Sequence, residues 1–190
     1  MSDAVLWYAT RGAGAVSLLL LSAVVCLGIV TSIKWQSRSV PLFLSVNLHR
    51  NISLLAIVFL ALHVVTAVVD PFAHLGIVAA LVPFSSYYRT FWLGLGVIAL
   101  DLFLALILTS VFRSRIGQRR WRAVHWLAYA MWPVALAHGV GAGTDAATPW
   151  MLAVEALCVA LVGAAVAWRL SATNARDAAV KAALARDTSM

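Results

Sequence analysis

The sequence predicts an all-α integral membrane protein, a bundle of about five transmembrane helices, from three observations. Hydrophobic residues make up 63% of the 190-residue chain and charged residues only 11%. Apolar runs of roughly 20 residues, the length that crosses a bilayer, recur along it. The basic residues, which give a net charge of +7, lie between these runs, as in cytoplasmic membrane loops. This composition excludes an ordinary soluble domain and makes membrane lipid, not nucleic acid, the expected partner of the positive charge.

Each of the five apolar runs is bounded by polar or helix-breaking residues. Pro41 suits the first turn of the second span, and Asp70-Pro71 ends that span. The connection after it contains His74 and the apolar residues 74–84, which are too few to span, so we expect an interfacial or re-entrant segment. The predicted spans cover about residues 13–33, 41–69, 91–112, 121–140 and 149–168.

The distribution of Lys and Arg predicts the orientation. The segments after the first, third and fifth spans are basic, whereas the connection between the second and third spans has only Arg89 and the next one on that side has none. The N-terminus is therefore expected outside and the C-terminus in the cytoplasm. We expect one membrane domain over residues 1–170 and a short cytoplasmic tail, residues 171–190. The Ala, Val and Arg content suggests a bacterial cytoplasmic membrane.

Four histidines lie inside two of the predicted spans, His49 and His63 in the second, His125 and His138 in the fourth. A histidine inside a membrane helix is costly and is a candidate functional residue. Because the two spans run in the same direction, depth pairs His49 with His125 near the inner surface and His63 with His138 near the outer one. Two imidazoles would fill both axial positions of a haem iron, which suits electron transfer. The pattern predicts two stacked b haems.

Helix geometry tests this spacing. The 14 residues from His49 to His63 return to within ~40° of the same face and rise ~21 Å. The 13 residues from His125 to His138 rise ~20 Å but leave the rings ~140° apart on an ideal helix. Pro133 lies between them, and a proline inside a helix kinks or rewinds it. We therefore expect an irregular helix around Trp132-Pro133 that re-aims His138.

The residues around the histidines form two segments, 47–53 (NLHRNIS) leading to Ala61-Leu62-His63, and 121–126 (WRAVHW) leading to 136–139 (LAHG). They resemble the two haem helices of the ferric reductase-like transmembrane domain family. That family includes ferric reductases, the membrane half of NADPH oxidases and the haem subunit of a bacterial methionine sulfoxide reductase system. The resemblance implies that the four histidines are haem axial ligands and that the chain is the transmembrane electron-transfer component of an oxidoreductase.

Two departures from the family shape the expected function. Many members have six spans, and flavoprotein members continue into a domain that binds FAD and a nicotinamide nucleotide, whereas this sequence has no G-x-G-x-x-G. We expect no flavin or NAD(P) site in this chain, and a separate electron donor, a flavoprotein reductase or a quinol. Electrons would pass from a cytoplasmic donor through the haems to an extracytoplasmic acceptor. Two alternatives are a quinol-oxidising haem subunit that serves an extracytoplasmic reductase or flavoprotein, and a haem-free transporter or proton channel.

Four arginines are candidates for contacts with haem propionates, because a guanidinium group pairs with a carboxylate. Arg50 and Arg122 neighbour the inner histidines, where interfacial snorkelling is the alternative. Arg11 and Arg89 stand near the outer surface, which otherwise lacks positive charge. Trp132 lies between the depths of the two haems and is either an electron relay or a packing residue.

Three further ionisable residues keep two interpretations each. Asp101, inside the third span, and Glu155, inside the fifth, mark either a proton path or a neutral acid that is hydrogen-bonded within the bundle. His74, in the connection expected on the outer side, either contacts an acceptor or takes no part.

Overall fold

The computed structural model describes the backbone of residues 3–35, 41–71 and 75–187, and the side chains of residues 5–35, 41–71 and 75–175. Within these ranges every regular element is an α-helix, so the all-α prediction is confirmed there. The helices are α1 (Asp3–Ser32), α2 (Leu42–Val69), α3 (Ile77–Leu81), α4 (Thr90–Val111), α5 (Arg113–Ile116), α6 (Gln118–His125), α7 (Ala128–Ala142) and α8 (Pro149–Asp187).

Four of the described helices, α1, α2, α4 and α8, are long and apolar enough to cross a membrane. They correspond to the first, second, third and fifth predicted spans. α1 begins about ten residues earlier than expected, so Arg11 lies on the helix and not before it. α8 continues through the expected tail as far as Asp187. The apolar stretch between α2 and α4 forms only the five-residue α3, and His74 lies outside the described residues.

The fourth predicted span is not one continuous helix, which corrects the sequence prediction. α6 ends at His125 and α7 begins at Ala128. From Leu127 to Ala130, three backbone N–H groups bond to the carbonyl three residues back, the tighter 3₁₀ pattern. The irregularity was expected at Trp132-Pro133, but Pro133 lies inside α7. The reason is that a proline lacks its N–H and crowds the carbonyl four residues earlier, so the preceding turn is the one that rewinds.

This tightened turn explains how the 13-residue spacing works. A 3₁₀ turn advances about 120° per residue against about 100° in an α-helix. Four tightened residues therefore add roughly 80° of rotation and remove more than half of the ~140° mismatch. His138 is thereby turned towards the same side of the bundle as His125.

The helices pack in a defined order around one apolar core. α1 is central: α2 runs antiparallel along it, and α8 and α7 also pack on it, while α4 packs on α7. Near the middle of the core the Trp132 Nε1–H donates to Ser22 Oγ at 2.8 Å, and the Ser22 hydroxyl donates to the Leu18 carbonyl at 2.7 Å. The buried core residues are Leu18, Leu21, Val25, Ile29, Ala56, Phe103, Leu106, Met131, Trp132, Cys158 and Val162.

Candidate functional site

The four histidines of the helices face each other in two pairs. The ring centroids of His49 and His125 are 6.5 Å apart and those of His63 and His138 6.3 Å, with ring planes at 70° and 71°. A metal–imidazole bond of about 2.0–2.1 Å, with the ring nitrogen about 1.1 Å from the centroid, puts two rings on one metal about 6.3 Å apart. Both separations therefore fit a single metal atom held between two opposed rings.

No cluster of three or more His, Cys, Asp or Glu side chains suited to a metal ion occurs among the described residues. Two opposed imidazoles are too few to enclose a bare ion tetrahedrally. They are the arrangement that supplies both axial ligands to a planar cofactor whose own ring provides the remaining donors. The residues present thus fit a haem better than a free metal ion.

Three of the four imidazoles are held by a backbone carbonyl of the neighbouring helix. In each case Nδ1 is the bonded nitrogen, so Nδ1 carries the proton and Nε2 keeps its lone pair for a metal. Such a bond also fixes the ring orientation. The bonds are His49 to Val24 O at 3.1 Å, His63 to Thr10 O at 2.8 Å, and His138 to Trp92 O at 2.9 Å.

A glycine four residues after each of these carbonyls lets the ring approach the helix. A Cβ added at Gly96 would lie 2.6 Å from the His138 ring, one at Gly14 3.0 Å from the His63 ring, and one at Gly28 3.5 Å from the His49 ring. Residues i and i+4 share a helix face, so the glycine clears the space beside the accepting carbonyl. These supports are not among the sequence predictions. Their signal was the 14-residue interval between Gly14 and Gly28, which equals the His49–His63 interval.

His125 is the exception among the four. Its Nδ1 is buried and has no hydrogen-bond partner in the part of the chain that the structure describes. The ring instead stacks on Trp121, with centroids 4.8 Å apart, and the Arg113 guanidinium lies 4.3 Å from the Trp121 ring on α6. Fourteen residues after Gly96 stands Ser110, whose Oγ accepts from Trp121 Nε1 at 3.3 Å. A serine thus occupies the register position where a fourth supporting glycine would stand.

The His63–His138 pair borders a mainly apolar cavity of about 280 Å³. Arg11 is among the polar side chains that line it. Arg11 forms an ion pair with Asp145 in the α7–α8 connection, and its guanidinium lies 3.9 Å from the Trp7 ring centre. A largely apolar cavity with a few convergent polar groups is the usual form of a small-molecule or cofactor site.

The other arginines predicted to contact propionates have different surroundings. Arg89 donates from Nη1 to the Gly141 carbonyl at 2.6 Å, in the last turn of α7. Arg50 and Arg122 are exposed. The arginine that the structure brings beside the His49–His125 pair is Arg113, through Trp121, and it was not predicted. Its signal in the sequence was its place in the basic segment before the fourth span.

Two acids lie within the long helices, and their environments differ. Asp101, near the middle of α4, is exposed on the outside of the helices. Glu155 is only 7% exposed, and its Oε1 has no hydrogen-bond partner among the described residues. Trp132 is buried in the core and bonded to Ser22. It lies between the two histidine pairs along the bundle.

The fold and the site together define a helical membrane protein with opposed histidine pairs inside its bundle. The sequence matches the family described as "Ferric reductase like transmembrane component" over residues 13–136, more than half of the chain. The chain belongs to this family, which confirms the resemblance drawn from the histidine segments. The match includes His49, His63 and His125 and ends two residues before His138. Neither the curated proteins nor the solved structures contain a significant match.

Proposed function

We propose that this protein is a membrane b-type cytochrome that carries electrons across the membrane through two bis-histidine haems. The observation that carries the proposal is the pair of ring separations, 6.5 and 6.3 Å, each of which fits two imidazoles on one iron. Membership of the ferric reductase-like family supports it, because that family generally binds haem. A haem held by His49 with His125, and another held by His63 with His138, would supply one-electron transfer.

The chain's own residues orient the ligands and exclude water. The carbonyls of Thr10, Val24 and Trp92 accept the Nδ1 protons and hold Nε2 towards the centre of each pair. A carbonyl acceptor makes the imidazole a stronger ligand. Between the two pairs, Phe103 and Trp132 fill the core with buried aromatic rings. A dry layer of this kind favours electron passage without side reactions with water.

Transfer across the membrane follows from the axial arrangement. The 14-residue interval between His49 and His63 corresponds to a rise of ~21 Å, most of the ~30 Å hydrocarbon core. Counting α6 and α7 as one interrupted span gives five spans, and the distribution of basic segments then favours the cytoplasmic side for the His49–His125 pair. A separate reductase would deliver electrons there, and an extracytoplasmic acceptor would receive them at the His63–His138 pair.

The basic end of the bundle suits an acidic electron donor. Arg113 lies over Trp121, which stacks on His125, so a line of aromatic rings leads from this surface to one ligand. Charge complementarity raises the association rate of redox partners and makes it salt-dependent. The haem-free alternative, a proton relay, is less well supported, since three of the four rings have Nδ1 committed to a carbonyl.

The test is an absorption spectrum of the purified chain, oxidised and then reduced with dithionite, with a haem-to-protein ratio. We expect low-spin spectra and two b haems per chain. His63→Ala should lower the ratio to one or less, because its haem loses an axial ligand. His74→Ala is the matched control, a histidine outside both predicted haem spans, and should keep the full ratio. A colourless wild-type protein made with ample haem would overturn the proposal and favour the transport alternative.

A further inference from the structure

One buried acid in the core has no part in the proposed electron transfer. Glu155 lies on the buried stripe of α8 with Cys158 and Val162, and that face belongs to the core shared with α1. Its side chain is more than nine-tenths buried, and Oε1 has no hydrogen-bond partner among the described residues. A buried carboxylate without a partner is costly, so such a group is kept for a reason or stays protonated.

The helix register places Glu155 between the two histidine pairs. α1 and α8 run parallel, since Trp35, just after α1, contacts Trp168 in α8 with centroids 5.7 Å apart, and Arg11 near the start of α1 pairs with Asp145 just before α8. Counted back along both helices from this tryptophan contact, Glu155 lies at the same depth in the bundle as Ser22. The His49 ring lies beside α1 between Val24 and Gly28, and the His63 ring between Thr10 and Gly14. Glu155 therefore lies about one helical turn from the depth of the His49–His125 pair and about three turns from that of the other pair.

Among the described residues, the buried polar side chains include no base that could serve as a fixed countercharge for Glu155: the others are Asp70 and four serines. The titratable groups of the core on the packed elements are Cys26 on α1, Tyr129 on α7 and Cys158 on α8 itself. The Tyr129 hydroxyl is already bound by Arg169. The ion pair found among the described side chains, Arg11 with Asp145, belongs to the cavity at the other pair.

The cavity beside His63 and His138 ends close to Glu155. The cavity extends to Met151, which is one turn before Glu155 on the same helix, and to Ser17 on α1. The Ser17 hydroxyl is buried and has no hydrogen-bond partner in the described part of the chain.

We propose that Glu155 is a proton-binding site whose occupancy follows the redox state of the His49–His125 centre, an inference that rests on the proposed function. A haem held by His49 and His125 would carry one net positive charge at its oxidised iron and macrocycle when its propionates are paired with arginines, and this charge would be the countercharge of the Glu155 carboxylate. One electron from the donor would cancel that charge. The carboxylate then takes one proton, forming an O–H bond, and releases it when the electron moves on.

The expected effect is measurable. A unit charge about 10 Å away at an effective dielectric constant near 20 changes proton affinity by roughly tenfold. For a one-electron couple this tenfold change corresponds to about 59 mV in midpoint potential. The potential of one haem should therefore fall by about that amount as the pH rises through the range in which Glu155 titrates, while the other haem, about two helical turns further away, should respond by roughly half as much.

The experiment is a spectroelectrochemical titration of the purified full chain at several pH values, with Glu155→Gln and, as the matched control acid, Asp101→Asn. We expect potentials that depend on pH, one haem more strongly than the other, in the wild type and in Asp101→Asn, and flat profiles in Glu155→Gln with both haems still bound. A flat wild-type profile, or an unchanged profile in Glu155→Gln, would overturn the inference while the two haem spectra leave the proposed function standing.

A second measurement covers the case in which Glu155→Gln does not fold. Reduced-minus-oxidised infrared spectra of the wild-type protein should show a carboxylic acid C=O band that gains intensity on reduction and shifts in heavy water. Asp101→Asn should retain this band. Its absence from the wild type, or its loss in Asp101→Asn, would exclude Glu155 as the redox-linked group.

Discussion

The two histidine pairs have similar ring separations but are supported differently. Both rings of the His63–His138 pair bond a backbone carbonyl, at 2.8 and 2.9 Å. In the His49–His125 pair only His49 does, at 3.1 Å, and His125 is held by stacking on Trp121. A ring with a fixed Nδ1 bond has one orientation, whereas a stacked ring can slide in its own plane. Two histidine pairs with similar ring separations are therefore held in place by different supporting contacts.

The origin of the difference is a break in register. Thr10 and Val24, with Gly14 and Gly28, repeat at the same 14-residue interval as the two histidines of α2. On the other side, Trp92 and Gly96 support His138, but the interval from His125 is 13 residues and Ser110 replaces the glycine. Between α4 and α7, one histidine therefore has both an accepting carbonyl and a glycine beside its ring, whereas between α1 and α2 two histidines have both.

The largest expected effect comes from filling the space beside His138. Gly96→Ala adds a Cβ 2.6 Å from that ring, and overpacking of this kind costs about 1–3 kcal/mol. The ring must leave the Trp92 carbonyl, so we expect loss of the haem at the His63–His138 pair and a haem-to-protein ratio near one. Gly28→Ala is the control, since its Cβ would make ordinary contact with the His49 ring at 3.5 Å. Equal haem contents in the two variants would show that the glycines are not steric supports.

A smaller effect is expected from removing the stack at the other pair. Trp121→Leu takes away the ring on which His125 lies, and an aromatic pair contributes about 0.5–1.5 kcal/mol beyond its buried area. Haem transfer to apomyoglobin should become faster in one of its two phases by up to roughly tenfold. Trp126→Leu, an exposed tryptophan next to His125, is the control. Acceleration of both phases would mean that Trp121 holds the bundle together and not one ligand.

The smallest effect would come from restoring the missing glycine. Ser110→Gly removes the Cβ at position 110 of α4. The His125 Nδ1–H should then be able to donate to the α4 backbone carbonyl four residues before position 110. The new hydrogen bond contributes about 0.5–1.5 kcal/mol, but a glycine inside a helix costs about 0.5–1 kcal/mol. We therefore expect haem transfer from the His49–His125 pair to slow by no more than a few-fold. Ser110→Ala removes the hydroxyl and keeps the Cβ; if it slows transfer equally, the space argument is wrong.

Much of the fold follows from the sequence because membrane helices can be recognised in it by their length and apolarity. Four of the five predicted spans are single helices, and the break in the remaining one was expected although placed a turn too late. The pairing of His49 with His125 and of His63 with His138 needed only helix direction and spacing. The four-residue offset between each carbonyl that accepts from a histidine and the glycine beside that ring could not be predicted from the sequence, because it depends on which helix lies beside each histidine. The ion pair of Arg11 with Asp145 joins positions far apart in the chain and carries no local pattern.

The packing order gives the protein a dependence on its supply of cofactor. α2 packs on α1 and has little direct packing against α7, so the two ligands of each pair meet across a gap in the helix contacts. Under the proposed function, the haems join the two halves of the bundle. A ligand at 1,000 times its dissociation constant adds about 4 kcal/mol to the stability of the state that binds it. Cellular haem would then set how much of the newly inserted chain escapes proteolysis, and the abundance of this protein would follow iron nutrition.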